Sequence, residues 1–313
     1  MTDTSGSGRV RSPTIVQGIG IMTMAMLIVP SMDVLAKLLT AEMPALEVTF
    51  GRFVGQLLAA TLVGVAVGEG RRLIPPRLPG HVLRSLFLAA TSLMFFSALA
   101  TMPLTDALAI AFAEPMILTA LSPWLLGETV GPRRWAACGV GFLGTLMIIR
   151  PSFEAFGVTA LLPLGAAFTF AGYHVMTRRL AGEGSLVAVQ FVTGLVGTVA
   201  LGAALAVAAT AGWMTQPVVA PQGLSWVWFF GIGVLSFLTH GMIVKAFEFA
   251  PAAVLAPFGY LEIVSATILG FLVFGDFPDG PTWGGIGLII ASGLYIVHRE
   301  RVRGRTRELP PLE

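Results

Sequence analysis

The chain has 313 residues, of which 55% are hydrophobic and only 12% charged, with a mean hydropathy of +0.84. Charged residues make up about 25% of ordinary soluble domains, so this composition excludes a soluble globular protein and requires an integral membrane protein. The formal net charge is only +2 and no nucleic-acid motif is present, which makes the lipid bilayer the expected partner and excludes nucleic acid.

A hydrocarbon core about 30 Å thick takes about 20 apolar residues as a helix, and windows of that size predict ten spans in chain order: 16–39, 45–67, 82–101, 104–126, 133–150, 157–178, 185–210, 225–247, 252–274 and 282–299. The runs are continuous, whereas barrel strands alternate over about 10 residues, so the expected fold class is an all-α membrane protein with ten transmembrane helices. The first run is too long for a cleavable leader, carries Asp33 and Lys37, and ends without a small-residue cleavage site; it is expected to be retained as span one.

Lys and Arg near span ends set orientation. With Arg9 and Arg11 in the cytoplasm, the same side receives Arg71, Arg72, Arg77, Arg84, Arg133, Arg134, Arg178, Arg179, Lys245 and the arginines of the C-terminal tail, leaving only Lys37 and Arg150 opposite. Both termini are therefore expected to be cytoplasmic, with the basic tail serving topology and anionic-lipid contact. The single Cys138 forbids an internal disulfide and a thiolate metal cluster. All six tryptophans fall near predicted span ends, as an interfacial belt requires.

The two halves repeat at an offset of 148 residues, which places Thr91 on Thr239, Met94 on Met242, Pro103 on Pro251, Glu114 on Glu262, Gly127 on Gly275, Glu128 on Asp276 and Trp135 on Trp283. Spans one and two echo spans six and seven at a shift of 141, where Lys37 meets Arg178 and Phe50 meets Phe191. Each half holds five spans, so the second enters the membrane in the opposite sense and the duplication is inverted. The expected organisation is a 1–13 cytoplasmic tail, repeats over 14–151 and 152–299, and a 300–313 basic cytoplasmic tail. Inverted duplication with charge inside apolar spans is the pattern of a secondary transporter, whose small-molecule path runs between two related bundles.

Ionisable groups inside a membrane cost about 2.5–3.5 kcal/mol on insertion scales, so each is a functional candidate unless a partner or helix end explains it. Glu114 and Glu262 lie near the centres of their spans, and helical spacing sets Asp106, Ala107, Ile110, Ala111 and Glu114 along one stripe. Each Glu either carries substrate or protons, or hydrogen-bonds a helix break, since Pro115 follows Glu114 and Pro257 precedes Glu262. Asp33 and His174 occupy symmetry-related positions nearer a membrane face. His174 and His240 are either substrate contacts or helix-to-helix hydrogen-bonding groups. Arg52 is expected to pair with Glu47 or with Asp33. Tyr173 and Tyr260 offer rings and hydroxyls, for stacking a planar substrate or for packing. With Thr91 and Thr239, these residues form the candidate substrate and proton path.

Other motifs fail on context. Gly139 to Gly144 fits G-x-G-x-x-G but lies within a span and follows no strand, and Gly51 with Gly55 fits the G-x-x-x-G packing signature. There is no H-E-x-x-H, Walker loop or G-x-S-x-G, so no enzyme, cofactor or metal is expected.

The stretches ALATMPLTDALAIAFAEPMILTALSPWLLGETVGPRRWAACGVGFLG and AFEFAPAAVLAPFGYLEIVSATILGFLVFGDFPDGPTWGGIGLII resemble the fourth-to-fifth-span signature of EamA-type transporters of the drug/metabolite transporter superfamily. The likeness covers about residues 15–299, with Pro257 where the first half has Ala109 and Ile263 where it has Pro115. The resemblance implies ten helices in two inverted five-helix repeats, the bacterial inner membrane, alternating access and a central cavity lined by both halves. It implies transport of a small organic metabolite or vitamin, with riboflavin the favoured expectation and amino acids or S-adenosylmethionine the alternatives. A non-transporting membrane scaffold is the reading from another class. Oligomeric state is left open.

Overall fold

In the computed structural model, residues 14–70, 73–125, 132–180, 182–214, 216–249, 258 and 261–307 are described. The apolar runs become helices, and the first continues through Pro30 in its interior. Helix α1 spans Thr14–Thr40, α2 Ala45–Ala66, α3 Leu78–Leu99, α4 Leu104–Ala111, α5 Glu114–Leu125 and α6 Pro132–Phe156. A 3-10 turn at Gly157–Leu161 leads into α7, Leu162–Arg179. Then come α8 (Leu186–Thr210), α9 (Ser225–Phe249), α10 (Leu261–Phe274) and α11 (Gly280–Arg307). Pro44 and Pro103 stand at the N-caps of α2 and α4, where their fixed φ and missing N–H do least harm. Ser185 caps α8 by accepting from the Ala188 N–H at 3.2 Å.

No strand occurs among the described residues. Among the described residues, six segments are long and apolar enough to cross a membrane: Val16–Thr40, Ala45–Ala66, Leu78–Leu99, Phe153–Thr177, Leu186–Thr210 and Ser225–Ala246. Two shorter apolar helices are Trp135–Ile148 and Leu261–Phe274. The protein is a helical membrane protein. The predicted fourth span is not one continuous helix, because the chain breaks between α4 and α5. The last helix runs to Arg307, into the stretch read as a tail, where arginine and glutamate favour helix.

Most of the packing joins the two halves. Helix α1 lies on α9 and α3 on α7; α2 lies on α8 and α9, and α3 also meets α8; α1 touches α10 while α7 touches α5. Each of these pairs maps onto another when the halves are exchanged, and the α2–α8 and α6–α11 pairs map onto themselves. Glycine permits the closest crossings. A Cβ on Gly233 of α9 would sit 2.5 Å from Gly55 Cα of α2, and one on Gly285 of α11 would sit 2.6 Å from the Gly144 carbonyl of α6. The two glycine motifs are thus helix-packing devices. The main apolar core includes Met43, Val48, Phe96, Leu104, Ile110, Ile148 and Ile232.

Candidate functional site

Glu114 owes its position to the interruption of the fourth span. Helix α4 closes with Phe112 N–H donating to the Leu108 carbonyl at 3.0 Å and Ala113 N–H to the Ile110 carbonyl at 3.0 Å; Met116 N–H then restarts the ladder on the Ala113 carbonyl at 3.1 Å. Pro115 has no N–H to continue α4, so Glu114 becomes the first residue of α5. The expected single stripe from Asp106 to Glu114 is therefore broken at Phe112 and Ala113. Glu114 is buried, and its Oε1 lies 2.9 Å from His174 Nδ1 on α7.

His174 stands in an aromatic row. The rings of Phe170 and Tyr173 stack parallel with centroids 5.5 Å apart, and the Phe170 ring lies 4.4 Å from His174. Tyr173 is buried, and its hydroxyl accepts from Arg84 Nη2 at 2.9 Å while the guanidinium lies 4.7 Å over the ring. Arg84 also donates through Nε to Thr177 Oγ1 at 2.8 Å and through Nη1 to Thr193 Oγ1 at 3.2 Å. Sequence reading placed Arg84 among the cytoplasmic topology charges. Instead it is 2% exposed and ties α3 to α7 and α8. Helix α3 begins at Leu78, before the predicted residue 82, so Arg84 falls inside the helix rather than at its mouth.

Arg52 is 1% exposed, donates through Nη1 to Ser92 Oγ on α3, and lies 4.7 Å from the Phe53 ring. Its Nε has no hydrogen-bond partner. Of its two expected partners, Glu47 is engaged elsewhere, accepting from the Val219 N–H at 3.1 Å. Residues five apart do not share a helix face, which explains the failure. Asp33 is buried and stands within electrostatic reach of Arg52. His240 is buried on α9, donates from Nδ1 to the Ser236 carbonyl at 3.0 Å, and lies within electrostatic reach of Arg52, Arg84 and His174. Glu262, at the start of α10, stands within reach of Asp33 and Glu114.

The structure thus gathers Asp33, Arg52, Glu114, His174, His240 and Glu262 from six helices into one charged centre between the halves. The hydroxyls of Thr91 and Thr239 are engaged in other hydrogen bonds. The Thr91 hydroxyl meets Thr169 Oγ1 of α7 at 2.8 Å and donates to the Phe87 carbonyl; that of Thr239 donates to the Leu235 carbonyl at 2.8 Å. Tyr260 and Pro257 lie outside the described residues. An amide row escaped sequence reading: Gln56 Nε2 donates to Gln190 Oε1 at 3.3 Å, and Ser236 Oγ donates to Gln56 Oε1 at 3.3 Å. Two glutamines inside apolar runs were the available signal. Among the described residues, no three His, Cys, Asp or Glu side chains converge to hold a metal.

Residues 16–150 and 157–298 each match the EamA-like transporter family. The chain belongs to that family. Its relatives include an S-adenosylmethionine uptake transporter of Rickettsia felis, 28% identical over 289 residues that cover 92% of this chain and 95% of that protein. A riboflavin transporter of Vibrio cholerae is 32% identical over 229 residues, covering 72% and 73%. The pseudopaline exporter CntI of Pseudomonas aeruginosa is 31% identical over 270 residues, covering 85% and 88%. A solved crystal structure superposes with a TM-score of 0.62 at 21% identity, covering 91% of this chain and 98% of the other; that likeness shows the fold. For this EamA-like family member, names among the relatives differ in both substrate and direction of transport.

Proposed function

We propose that this protein is a secondary transporter that moves a small organic metabolite across the bacterial inner membrane by alternating access. Ten spans in two inverted five-helix repeats, with both termini cytoplasmic, are the arrangement in which it does so. The observation that carries this reading is the Glu114–His174 contact: a carboxyl and an imidazole at 2.9 Å, one from each half, at a helix break inside the membrane. Irregular backbone at membrane depth is tolerated where it is buried in protein or lines a cavity, and buried carboxylate–histidine pairs serve as proton relays. Exchange of packing partners between the halves opens the centre to one side and then to the other. Asp33, Arg52, His240 and Glu262 contact the substrate, and Glu114 with His174 passes the proton.

The aromatic row of Phe170, Tyr173 and His174 supports a substrate with a planar ring, riboflavin being the first compound to test. A second reading is supported by the charge of the centre. Three carboxylates gather there, with Glu262 within reach of Asp33 and Glu114 and only Asp33 set beside Arg52, which suits a substrate carrying its own cationic group, as S-adenosylmethionine does. The deciding experiment is flux into proteoliposomes of labelled riboflavin, S-adenosylmethionine and amino acids, with and without a pH gradient. Saturable flux of one compound that disappears in Glu114→Gln is the expected result; a folded protein that moves none of them returns the scaffold reading.

A further inference from the structure

The two halves are tied to one another at both ends of α2, a helix of 22 residues and so about 33 Å long. At its start, Ser225 Oγ on α9 donates to Glu42 Oε2 at 2.6 Å, beside the bond from the Val219 N–H to Glu47. Beyond its far end, Arg77 Nη1 at the N-cap of α3 lies 2.9 Å from Glu183 Oε1 in the turn before α8. Ser185 Oγ donates to Glu69 Oε2 there at 2.5 Å. Each of these contacts joins a residue of the first half to one of the second. The repeat relates the two ends. At the 141-residue shift Glu42 falls on Glu183, with Ala45 and Leu186, the first residues of α2 and α8, in register; at the 148-residue shift Arg77 falls on Ser225. Two copies of one device therefore tie opposite ends of the bundle.

The copies are unequal. Met43, next to Glu42, is 1% exposed and packs into the main core; its counterpart is Gly184, at φ +93° and without a side chain to anchor the turn. Ser225 is buried, whereas the Arg77 side chain is 71% exposed, and an ion pair so open to solvent contributes little. Among the described residues Arg77 is also the only non-glycine at positive φ, +49°, a conformation that strains a residue with a Cβ and collects at switch regions. Glu183 Oε2 is buried without a hydrogen-bond partner. So are both ring nitrogens of His81, a buried residue of the first turn of α3 within electrostatic reach of Glu183 and Arg84. Unpaired buried polar groups penalise the arrangement that buries them. No side-chain atom of Glu42, Glu47 or Ser225 is left so, and the position equivalent to His81 is Phe229, whose ring belongs to the main core.

We propose that these are two unequal latches, and that the Arg77–Glu183 latch is the one that releases in the unloaded protein. The halves then part first where α2 runs out and α8 begins, the end that cytoplasmic termini place inside the cell. This rests on the alternating-access reading, in which one end opens while the other stays shut, and adds which end opens at rest and which residues hold it.

The test is hydrogen–deuterium exchange of the full chain in lipid nanodiscs without substrate, since amide protection reports local opening. Corrected for intrinsic rates, residues 183–189 are expected to be at least tenfold less protected than residues 42–48. Arg77→Ala should lower protection over 183–189 severalfold further and leave 42–48 unchanged. His81→Phe, which copies Phe229, should raise protection over 183–189 and raise the melting temperature, a gain that misfolding does not mimic. Equal protection at the two ends, a response of both ends or of neither to Arg77→Ala, or lower protection in His81→Phe overturns the proposal. Flux into proteoliposomes is read separately. Unequal protection with no flux fails the transport reading while the latch assignment stands; flux with equal protection fails the latch assignment while the transport reading stands.

Discussion

His174 Nδ1 lies 2.9 Å from Glu114 Oε1, and the contact crosses from α5 of the first half to α7 of the second. A carboxyl and an imidazole at this distance share one hydrogen, so replacing either changes proton handling more than shape. Glu114→Gln preserves volume and can still hydrogen-bond His174. Flux driven by a pH gradient is expected to fall at least tenfold while the amount of protein in the membrane is unchanged. Flux assays paired with quantitative immunodetection check both halves of this statement.

Arg84 is expected to behave as a structural fork. Its bonds to Tyr173, Thr177 and Thr193 bridge three helices, and a hydrogen bond to a charged group contributes about 1.5–3 kcal/mol. Arg84→Ala should lower the melting temperature of the purified protein sharply. Arg84→Lys should recover little, because an ammonium cannot reproduce the planar fork. Equal stability of Arg84→Ala and the parent protein would contradict this.

The glycine contacts predict opposite outcomes at two positions. Gly233→Val should destabilise by more than about 2 kcal/mol, since a Cβ there meets Gly55 Cα at 2.5 Å and backbone cannot yield as a side chain does. Gly139→Ala should be neutral or stabilising by up to about 1 kcal/mol, because nothing lies within 4 Å of a Cβ there. Thermal denaturation of the two variants in one detergent makes the comparison.

Asp279 caps α11 through the Thr282 N–H at 2.8 Å. Its hydrogen bonds to Thr282 hold its carboxyl below the usual carboxylate range. A depressed carboxyl stabilises the fold above its unfolded value and loses that contribution as pH falls through its folded value. Asp279→Ala should therefore cost about 1 kcal/mol near neutral pH, with the difference from the parent closing on acidification below about pH 4. Asp279→Asn should retain most of the cap. Melting curves collected from pH 3 to pH 7 read the convergence.

Some of the site could be read from residues alone. Glu114, Asp33 and Arg52 stand out because charge in an apolar run is expensive wherever the run lies, so no neighbour need be known. Arg84 was misread for a complementary reason: near a span end, a basic residue has the same sequence signature whether it faces the cytoplasm or a buried tyrosine. For Arg52, helical spacing rejects Glu47 only once α2 is known to be regular through residue 52, and the hydrogen bond to Ser92 had no signal in the sequence. Thr91 and Thr239 coincide in the repeat, yet their hydroxyls serve helix contacts and the backbone, which repeat matching cannot distinguish from a binding role.

Composition and periodicity by themselves determined that this chain is a helical membrane protein and that it is duplicated, for apolar length and fixed offset are properties of the linear sequence. The break at Phe112 and Ala113, the meeting of Glu114 with His174, and the burial of Arg84 were decided only in the tertiary structure. Those features depend on which helix faces which across the two halves, and the energy of a buried charge is set by the partners that packing brings to it.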